Sequence, residues 1–88
     1  MRFRYDPAKV AANFRKHGVS FADAEGVFQD PLAVTQEAPD AEGERRFVAV
    51  GSGSAGDLVV VVYAMRGEEV RLISARRATR RERKTYES

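Results

Sequence analysis

With 88 residues, of which 43% are apolar and 32% charged, the chain is too short for two independent cores and too apolar to be disordered throughout. It has no cysteine, which excludes a disulfide framework and a thiolate zinc site and fits a reducing compartment. The N-terminus lacks the apolar stretch of a signal peptide, and the longest apolar run, residues 58–65, is far too short to span a membrane. We therefore expect one cytoplasmic domain over residues 1–88, with no membrane contact.

The net charge of +2 is distributed unevenly along the chain. Residues 1–65 carry seven Lys and Arg against nine Asp and Glu, whereas residues 66–88 carry eight against four. A basic C-terminal segment beside an acidic remainder indicates that this segment binds an anionic partner.

The first predicted elements are a short strand over residues 3–5 and a helix over residues 7–17. Asp6 can cap this helix, Pro7 suits its first position, and Gly18 suits the left-handed position after its end. The spacing of apolar residues predicts a buried helix face that consists of Val10, Phe14 and His17.

A second helix is predicted to begin after Ser20, which can form a capping box with Asp23. It ends before Pro31, because the residue that precedes a proline is driven out of the helical conformation. Its expected buried face consists of Phe21, Ala24 and Phe28.

The pattern then changes to strands, which are predicted to form an antiparallel meander. The connections are an acidic loop over residues 37–44, a Gly- and Ser-rich hairpin loop over residues 52–57, and a glycine turn over residues 65–68. Residues 58–62 are apolar on both faces, which predicts a strand in the middle of the sheet. The four strands are predicted over residues 32–36, 46–51, 58–64 and 69–75.

A last helix is predicted over residues 80–87, opened by a capping box of Thr79 and Glu82. A helix this short is marginal in water, so it must dock on the sheet or on a partner. The predicted fold class is α+β, with two N-terminal helices, an antiparallel sheet of about four to five strands and a short C-terminal helix.

The sequence contains neither a dinucleotide-binding motif nor the ligands of a metal site. Residues 51–56 match the letters G-x-G-x-x-G, but a Val-rich strand follows where the dinucleotide motif requires a helix. We interpret these residues as a flexible hairpin tip. One histidine, no cysteine and no closely spaced carboxylates outside a loop leave no metal site, so we expect chemistry without a metal ion or another cofactor.

His17 is the one histidine, the residue type whose ordinary pKa suits acid-base catalysis near neutral pH. It also stands in the last turn of a predicted helix, where the helix dipole favours a cation and free carbonyl groups accept hydrogen bonds. A catalytic role and a purely structural role are both open.

Arginine dominates the basic segment 76–84. Guanidinium groups bind phosphates through paired hydrogen bonds and can stabilise a phosphorane-like transition state, although a solvated helix face or an interface with an acidic protein is the alternative. Tyr86 can stack on a base or donate a proton, or can simply anchor the helix. Because side chains alternate along a strand, at most one of Arg76 and Arg77 is expected to share a site with Arg71.

Three separated segments carry motifs in the order and spacing of one protein family. They are Asp6-Pro7-x-Lys9 with Asn13 and Lys16-His17-Gly18-Val19-Ser20-Phe21, then Val27-Phe28-x-Asp30-Pro31, and then Arg71-Leu72-Ile73-Ser74-Ala75-Arg76 with Ala78 and Glu82-Arg83-x-x-Tyr86. Over nearly the whole chain this set resembles the BrnT toxin family. Tyr5 departs from the tryptophan usual in the family and keeps only an aromatic ring, and the middle strands match only in hydrophobic pattern.

The resemblance implies a RelE-like fold and a ribonuclease that stops growth, in which the RNA 2′-hydroxyl attacks the adjacent phosphate. It also implies a co-encoded BrnA-type antitoxin with a ribbon-helix-helix part. Such proteins bind DNA as dimers, so we expect a 2:2 complex that contacts promoter DNA only through the antitoxin. RelE-like toxins often use basic and tyrosine side chains rather than a histidine pair, which favours the arginines.

We therefore predict a metal-independent endoribonuclease toxin, with a non-catalytic nucleic-acid- or antitoxin-binding module as the alternative. Which side chain serves as general acid or base, and which RNA sequence is cut, stay open. The predicted catalytic residues are Arg76, Arg80, His17 and Tyr86, and the predicted RNA-binding residues are Arg71, Arg77, Arg83 and Lys84.

Overall fold

The computed structural model describes residues 1–38 and 44–88, and within them it has five strands, three α-helices and one 3₁₀ segment. In chain order these are β1 (Arg2–Arg4), α1 (Pro7–His17), α2 (Phe21–Ala24), the 3₁₀ segment (Glu25–Gln29), β2 (Val34–Glu37), β3 (Arg46–Ser52), β4 (Leu58–Arg66), β5 (Glu69–Arg77) and α3 (Arg80–Glu87). This order confirms the predicted α+β fold class. Residues 39–43, the middle of the predicted acidic loop, lie outside the described residues. None of the helices in the described parts is long and apolar enough to cross a membrane.

The strand order in the sheet is β1-β5-β4-β3-β2, and β2 to β5 form the predicted antiparallel meander. β4 lies in the middle, as its apolar residues on both faces predicted. β1 is the outer strand beside β5 and runs parallel to it, with Phe3 opposite Val70. The sheet is therefore mixed, because no hairpin joins β1 to its neighbour and dictates an antiparallel direction.

The ends of α1 and α3 coincide with their predicted bounds because each helix has its predicted cap. The Asp6 carboxylate accepts a hydrogen bond from the N–H of Ala8, and Thr79 and Glu82 form both bonds of a capping box. Gly18 takes the left-handed conformation after α1, with φ of 70°.

The buried side of α1 differs from the prediction. Phe14 is 56% exposed, whereas Asn13 is buried. The Asn13 amide accepts a hydrogen bond from the N–H of Ala75 and donates to the carbonyl oxygens of Val19 and Ala75. These bonds satisfy backbone groups of β5 beyond the end of β1, where no strand pairs with them. α1 is consequently rotated so that Asn13, and not Phe14, faces the sheet.

The second helix is shorter than predicted, since α2 gives way to the 3₁₀ segment after one turn. Gly26 lies against the β3–β4 loop so closely that a Cβ there would be 2.4 Å from the Ser54 nitrogen. The backbone N–H groups of Ser54 and Ala55 donate to the carbonyl and the carboxylate of Asp23. The loop that the sequence predicted as a flexible tip is thus bonded to α2.

The strand bounds also shift by a few residues. β2 begins at Val34, and Leu32, predicted as its first residue, lies in a turn and is 68% exposed. β4 and β5 each continue two residues beyond their predicted ends. These extensions are paired between the two strands: Met65 and Arg66 pair with the start of β5, and Arg76 and Arg77 pair with the start of β4.

A bulge in β5 decides which of its side chains share a face. Val62 pairs with Ser74 and Tyr63 with Leu72, so Ile73 is the extra residue. Strict alternation would have placed Leu72 and Ala75 on opposite faces, yet both belong to the buried core cluster. That cluster lies between one face of the sheet and α1, α2 and the 3₁₀ segment, and its fully buried members include Phe21, Val27, Val59, Val61, Val70 and Leu72.

Among the described residues, α3 covers one end of the opposite face of the sheet, which we call the open face, and Val50 and Val60 are buried there. There α3 contacts β3, and a groove of about 230 Å³ separates Glu82 and Thr85 from the strand residues below. By register, the open face includes Arg46, Val48 and Val50 of β3, Val60, Val62, Ala64 and Arg66 of β4, and Arg71, Ser74 and Arg76 of β5.

Candidate functional site

The open face brings Arg46 of β3 together with Arg71 and Arg76 of β5. Arg46 and Arg71 both pair with Ala64, from opposite sides of β4. They therefore lie two strand spacings apart, about 10 Å. Arg76 pairs with Val60, four residues away along β4 and so about 13 Å from the first row. An anionic chain a few residues long can span these distances.

The β5 bulge explains why Arg76 belongs to this face. Without it, alternation from Arg71 would place Arg77 on the open face. With Ile73 as an extra residue, Arg76 takes that position, and Arg77 instead forms an ion pair with Asp57 at 3.0 Å. The expectation that at most one of the two shares a face with Arg71 fits this arrangement.

Arg76 is held by Glu82 of α3 through two hydrogen bonds, of 2.8 and 2.7 Å, from its two Nη atoms. Nη1 also donates to the carbonyl oxygen of Arg77. The Arg76 guanidinium and the bonds from Thr79 lower the pKa of Glu82 to about 2, so this carboxylate is ionised at neutral pH. Of the five guanidinium N–H groups, Nε–H and one Nη2–H form no bond with a described residue. These two donors lie on one edge, which suits a bidentate phosphate.

At the other end of the open face, Glu44 lies among three arginines. Its carboxylate oxygens are 2.6 Å from Arg71, 3.4 Å from Arg66 and 3.6 Å from Arg46. The Nε atoms of Arg46 and Arg71 are buried and have no hydrogen-bond partner among the residues that the structure describes. One carboxylate thus restrains three cations without satisfying all their donors.

Between these two clusters the floor of the open face is mostly apolar. Val48 and Val62 are partly exposed there, and Ser74 lies beside Val62. An apolar floor excludes water from one side of the neighbouring arginines, which strengthens their interaction with an anion.

His17 lies beyond the outer edge of β5. It is half-buried in the last turn of α1 and lines a groove of about 300 Å³ together with Ile73 and Ser74. Because Ser74 belongs to the open face, this groove leads from His17 to that face.

Tyr86 lies near the end of β3, whereas His17 lies at the edge of β5. Its hydroxyl donates to the Asp30 carboxylate at 2.7 Å, and this bond raises the pKa of Tyr86. Asp30 also accepts hydrogen bonds from the N–H groups of Ser52 and Leu32, which lower the pKa of Asp30. Tyr86 therefore anchors α3 beside the end of β3, and two strands separate it from His17.

The remaining predicted residues are on the outside of the molecule. Arg80 is exposed at the first position of α3 and makes no ion pair with a described residue. Arg83 is 4.0 Å from Glu87, and Lys84 is exposed. Of the eight residues predicted from sequence, Arg71 and Arg76 are thus the two that share the open face.

Four residues of the open-face clusters were missed by the sequence analysis, namely Arg46, Arg66, Glu44 and Glu82. Glu82 was recognised only as a capping residue. Arg46 could have been found from alternation, since it precedes Phe47 and must point away from the face that buries this ring. In the ranges 1–38 and 44–88, no group of three His, Cys, Asp or Glu side chains is placed to hold a metal ion.

Comparison with known proteins identifies a family and a solved structure that are similar to this chain. Residues 5–82 match the family model described as the ribonuclease toxin BrnT of type II toxin-antitoxin systems. The fold is similar to the crystal structure of the Brucella abortus ribonuclease toxin BrnT, with a TM-score of 0.68 and 27% sequence identity, over 91% of this chain and 99% of that one. Among curated proteins, none matches the chain significantly.

Proposed function

Because this chain belongs to the BrnT family of ribonuclease toxins of type II toxin-antitoxin systems, we propose that it binds and cleaves RNA on its open face, without a metal ion. The observation that carries this proposal is that Arg46 of β3 shares one face of the sheet with Arg71 and Arg76 of β5. Three guanidinium groups around an apolar floor suit a chain of phosphates that carries bases.

The proposed reaction is an internal transfer at phosphorus. The RNA 2′-oxygen loses its proton and bonds to the adjacent phosphorus, while the bond from phosphorus to the 5′-oxygen breaks and that oxygen takes up a proton. The products are a 2′,3′-cyclic phosphate and a 5′-hydroxyl. Negative charge builds up on the phosphoryl oxygens, and the free edge of Arg76 offers two donors to stabilise it.

His17 is the better placed of the two candidates for proton transfer. Its groove reaches Ser74 on the open face, whereas the Tyr86 hydroxyl is engaged with Asp30. We assign acid-base catalysis to His17 and anchoring of α3 to Tyr86. The exposed cations of the C-terminal region add phosphate contacts that do not depend on base identity, and these are Arg77, Arg80, Arg83 and Lys84.

The test compares single alanine variants in cleavage of a labelled RNA with EDTA present. Arg76→Ala is expected to lower kcat on the order of a hundredfold, as loss of one transition-state contact does. Arg15→Ala, which removes an exposed arginine of α1, is the matched control and should cleave like the unmodified protein. A requirement for a divalent ion, or a 5′-phosphate among the products, would refute the mechanism.

A non-catalytic binding module is the second candidate, and one observation favours it. Arg71 and Arg76 are each already bonded to a carboxylate, Glu44 or Glu82, as they would be by acidic residues of a protein partner. Under this alternative, arginine variants lose RNA binding gradually and in a salt-dependent way, and no cyclic phosphate ends are formed.

The antitoxin partner is proposed to be of the BrnA type and to form a 2:2 complex. Two features support a tight complex: the exposed cations of the C-terminal region, and β2, an outer strand with three exposed residues that a strand of the partner can extend. Co-expression with the neighbouring gene and the mass of the purified complex test this. The proposal fails if that product neither binds the chain nor relieves its toxicity.

A further inference from the structure

A groove of about 440 Å³ lies at the corner where β1 leads into α1. Four basic residues line it, Arg4, Lys9, Arg66 and Arg71, together with Tyr5. Arg71 belongs to the open face, and Arg4 is its partner in the β1–β5 register. The groove is therefore continuous with the proposed cleavage site, yet Arg4 and Lys9 lie outside that site.

The charges in this groove are only partly balanced. Its two carboxylates are Asp6, which caps α1 through the N–H of Ala8, and Glu69, which is 3.4 Å from Arg4. Lys9 is exposed and pairs with no carboxylate in the described parts of the chain. One ammonium group and a weakly paired guanidinium thus face an open groove.

Tyr5 lines the groove, and contacts with α2 and the 3₁₀ segment fix its ring. Its ring meets the edge of Phe21, with centroids 5.4 Å apart at 78°, and its hydroxyl donates to Glu25 at 2.9 Å. A fixed ring beside basic side chains is the arrangement on which proteins stack a base while they bind its phosphate. Lys9 also lines the neighbouring groove of His17, so the two grooves meet at this residue.

We propose that this corner groove binds a nucleotide that flanks the scissile phosphate, an inference that rests on the proposed function. Its base packs on Tyr5, and its phosphate binds Lys9 and Arg4. Stacking and charge tolerate any base, so the groove increases affinity for longer RNA without selecting a sequence.

The test uses the double variant Arg4→Gln/Lys9→Gln and two RNA substrates, a long one and one trimmed to the nucleotides around the cleaved bond. With the long RNA we expect KM to rise about tenfold at unchanged kcat. The slope of log Kd against log salt concentration should decrease by about 1.4, which corresponds to two phosphate contacts with a single strand. With the short RNA the variant should match the unmodified protein.

The matched control is Arg2→Gln/Arg15→Gln, which removes two exposed arginines from the same strand and helix but outside the groove lining. Equal losses with both substrates would overturn the proposal, since they would place Arg4 and Lys9 in the cleavage site. Identical KM values for the two double variants would overturn it as well.

Binding of a 2′-deoxy oligonucleotide separates this inference from the proposed function, because that ligand cannot be cleaved. If the protein binds it and Arg4→Gln/Lys9→Gln weakens binding while RNA cleavage is never seen, the groove is supported and the ribonuclease mechanism fails. If cleavage proceeds but the double variant binds like the control, the groove fails alone.

Discussion

The ion pair of Glu82 and Arg76 on the open face has both a structural and a functional role. Glu82 closes the capping box of α3 and at the same time holds Arg76 by two bonds. A side chain that is fixed in this way loses little further entropy when it binds a phosphate. Glu82 is thus a positioning residue, and the pair links the stability of α3 to the orientation of Arg76.

The first prediction concerns the stability of Glu82→Gln against pH. Because the pKa of Glu82 is depressed to about 2, its contribution is complete above its ordinary pKa and is lost as the pH falls towards 2. Both partners are partly exposed, so we expect a loss of about 1 to 2 kcal/mol at pH 7, after screening is allowed for. Glutamine can keep the capping box through its carbonyl oxygen, but it removes the charge and one of the two acceptors that Arg76 uses.

Urea unfolding at pH 7, pH 4 and pH 2.5 measures this effect. The difference between the variant and the unmodified protein should shrink as the pH falls. Glu87→Gln, which removes an exposed carboxylate of the same helix, is the control and should change stability little. A difference that persists undiminished at pH 2.5 would contradict the ion-pair explanation.

At the scale of elements, one amide joins α1 to the sheet. Asn13 supplies to β5 the donor and the acceptor that a neighbouring strand would supply, at 2.8 and 3.1 Å. β1 can therefore stop at Arg4 and leave a gap in the edge of β5, through which the groove of His17 reaches Ser74. The helix and the gap depend on the same side chain.

We predict that Asn13→Leu lowers the free energy of unfolding by about 2 to 4 kcal/mol, because it leaves buried backbone groups of Ala75 and Val19 without partners. Phe14→Ala on the same helix should cost less than about 1 kcal/mol, since this ring is mostly exposed. Chemical denaturation of both variants decides the point. A larger loss for Phe14→Ala would mean that α1 packs on its apolar stripe after all.

On the scale of the whole molecule, the two faces of the sheet have different roles, one in the core and one in the proposed site. The face of the sheet that packs on α1 and α2, the helix face, forms the core, whereas the open face carries the arginines and, among the described residues, is covered by α3 at one end. β4 contributes to both faces from the centre of the sheet, so neighbouring valines in it serve different purposes.

Val61 and Val62 test this separation as a matched pair. Val61 is fully buried on the helix face, and Val61→Ala should cost about 2 kcal/mol through the lost methyl groups and the cavity left behind. Val62 is partly exposed on the open face, and Val62→Ala should cost less than about 1 kcal/mol but weaken RNA binding. Thermal unfolding and RNA affinity are to be measured for both variants. A larger loss of stability for Val62→Ala than for Val61→Ala would contradict the assignment of the two faces.

The sequence alone determined the features that depend on neighbouring residues. Helix ends at Asp6, Gly18 and Thr79 follow from local hydrogen bonds, and the central position of β4 follows from its apolar residues on both faces. The order of the elements and the family resemblance were also readable, because both lie in local patterns and their succession along the chain.

Only the tertiary structure decided what depends on distant contacts. The bulge at Ile73 places Arg76 on the face of Arg71, and the hydrogen bonds of Asn13 to β5 turn Phe14 outward. The change from α2 to the 3₁₀ segment lies where the β3–β4 loop packs closely against Gly26. Arg46 and Glu44 joined the candidate site through strand pairing across residues far apart in the chain. Periodicity and propensity describe one segment at a time, whereas these outcomes were fixed by the packing of two segments against each other.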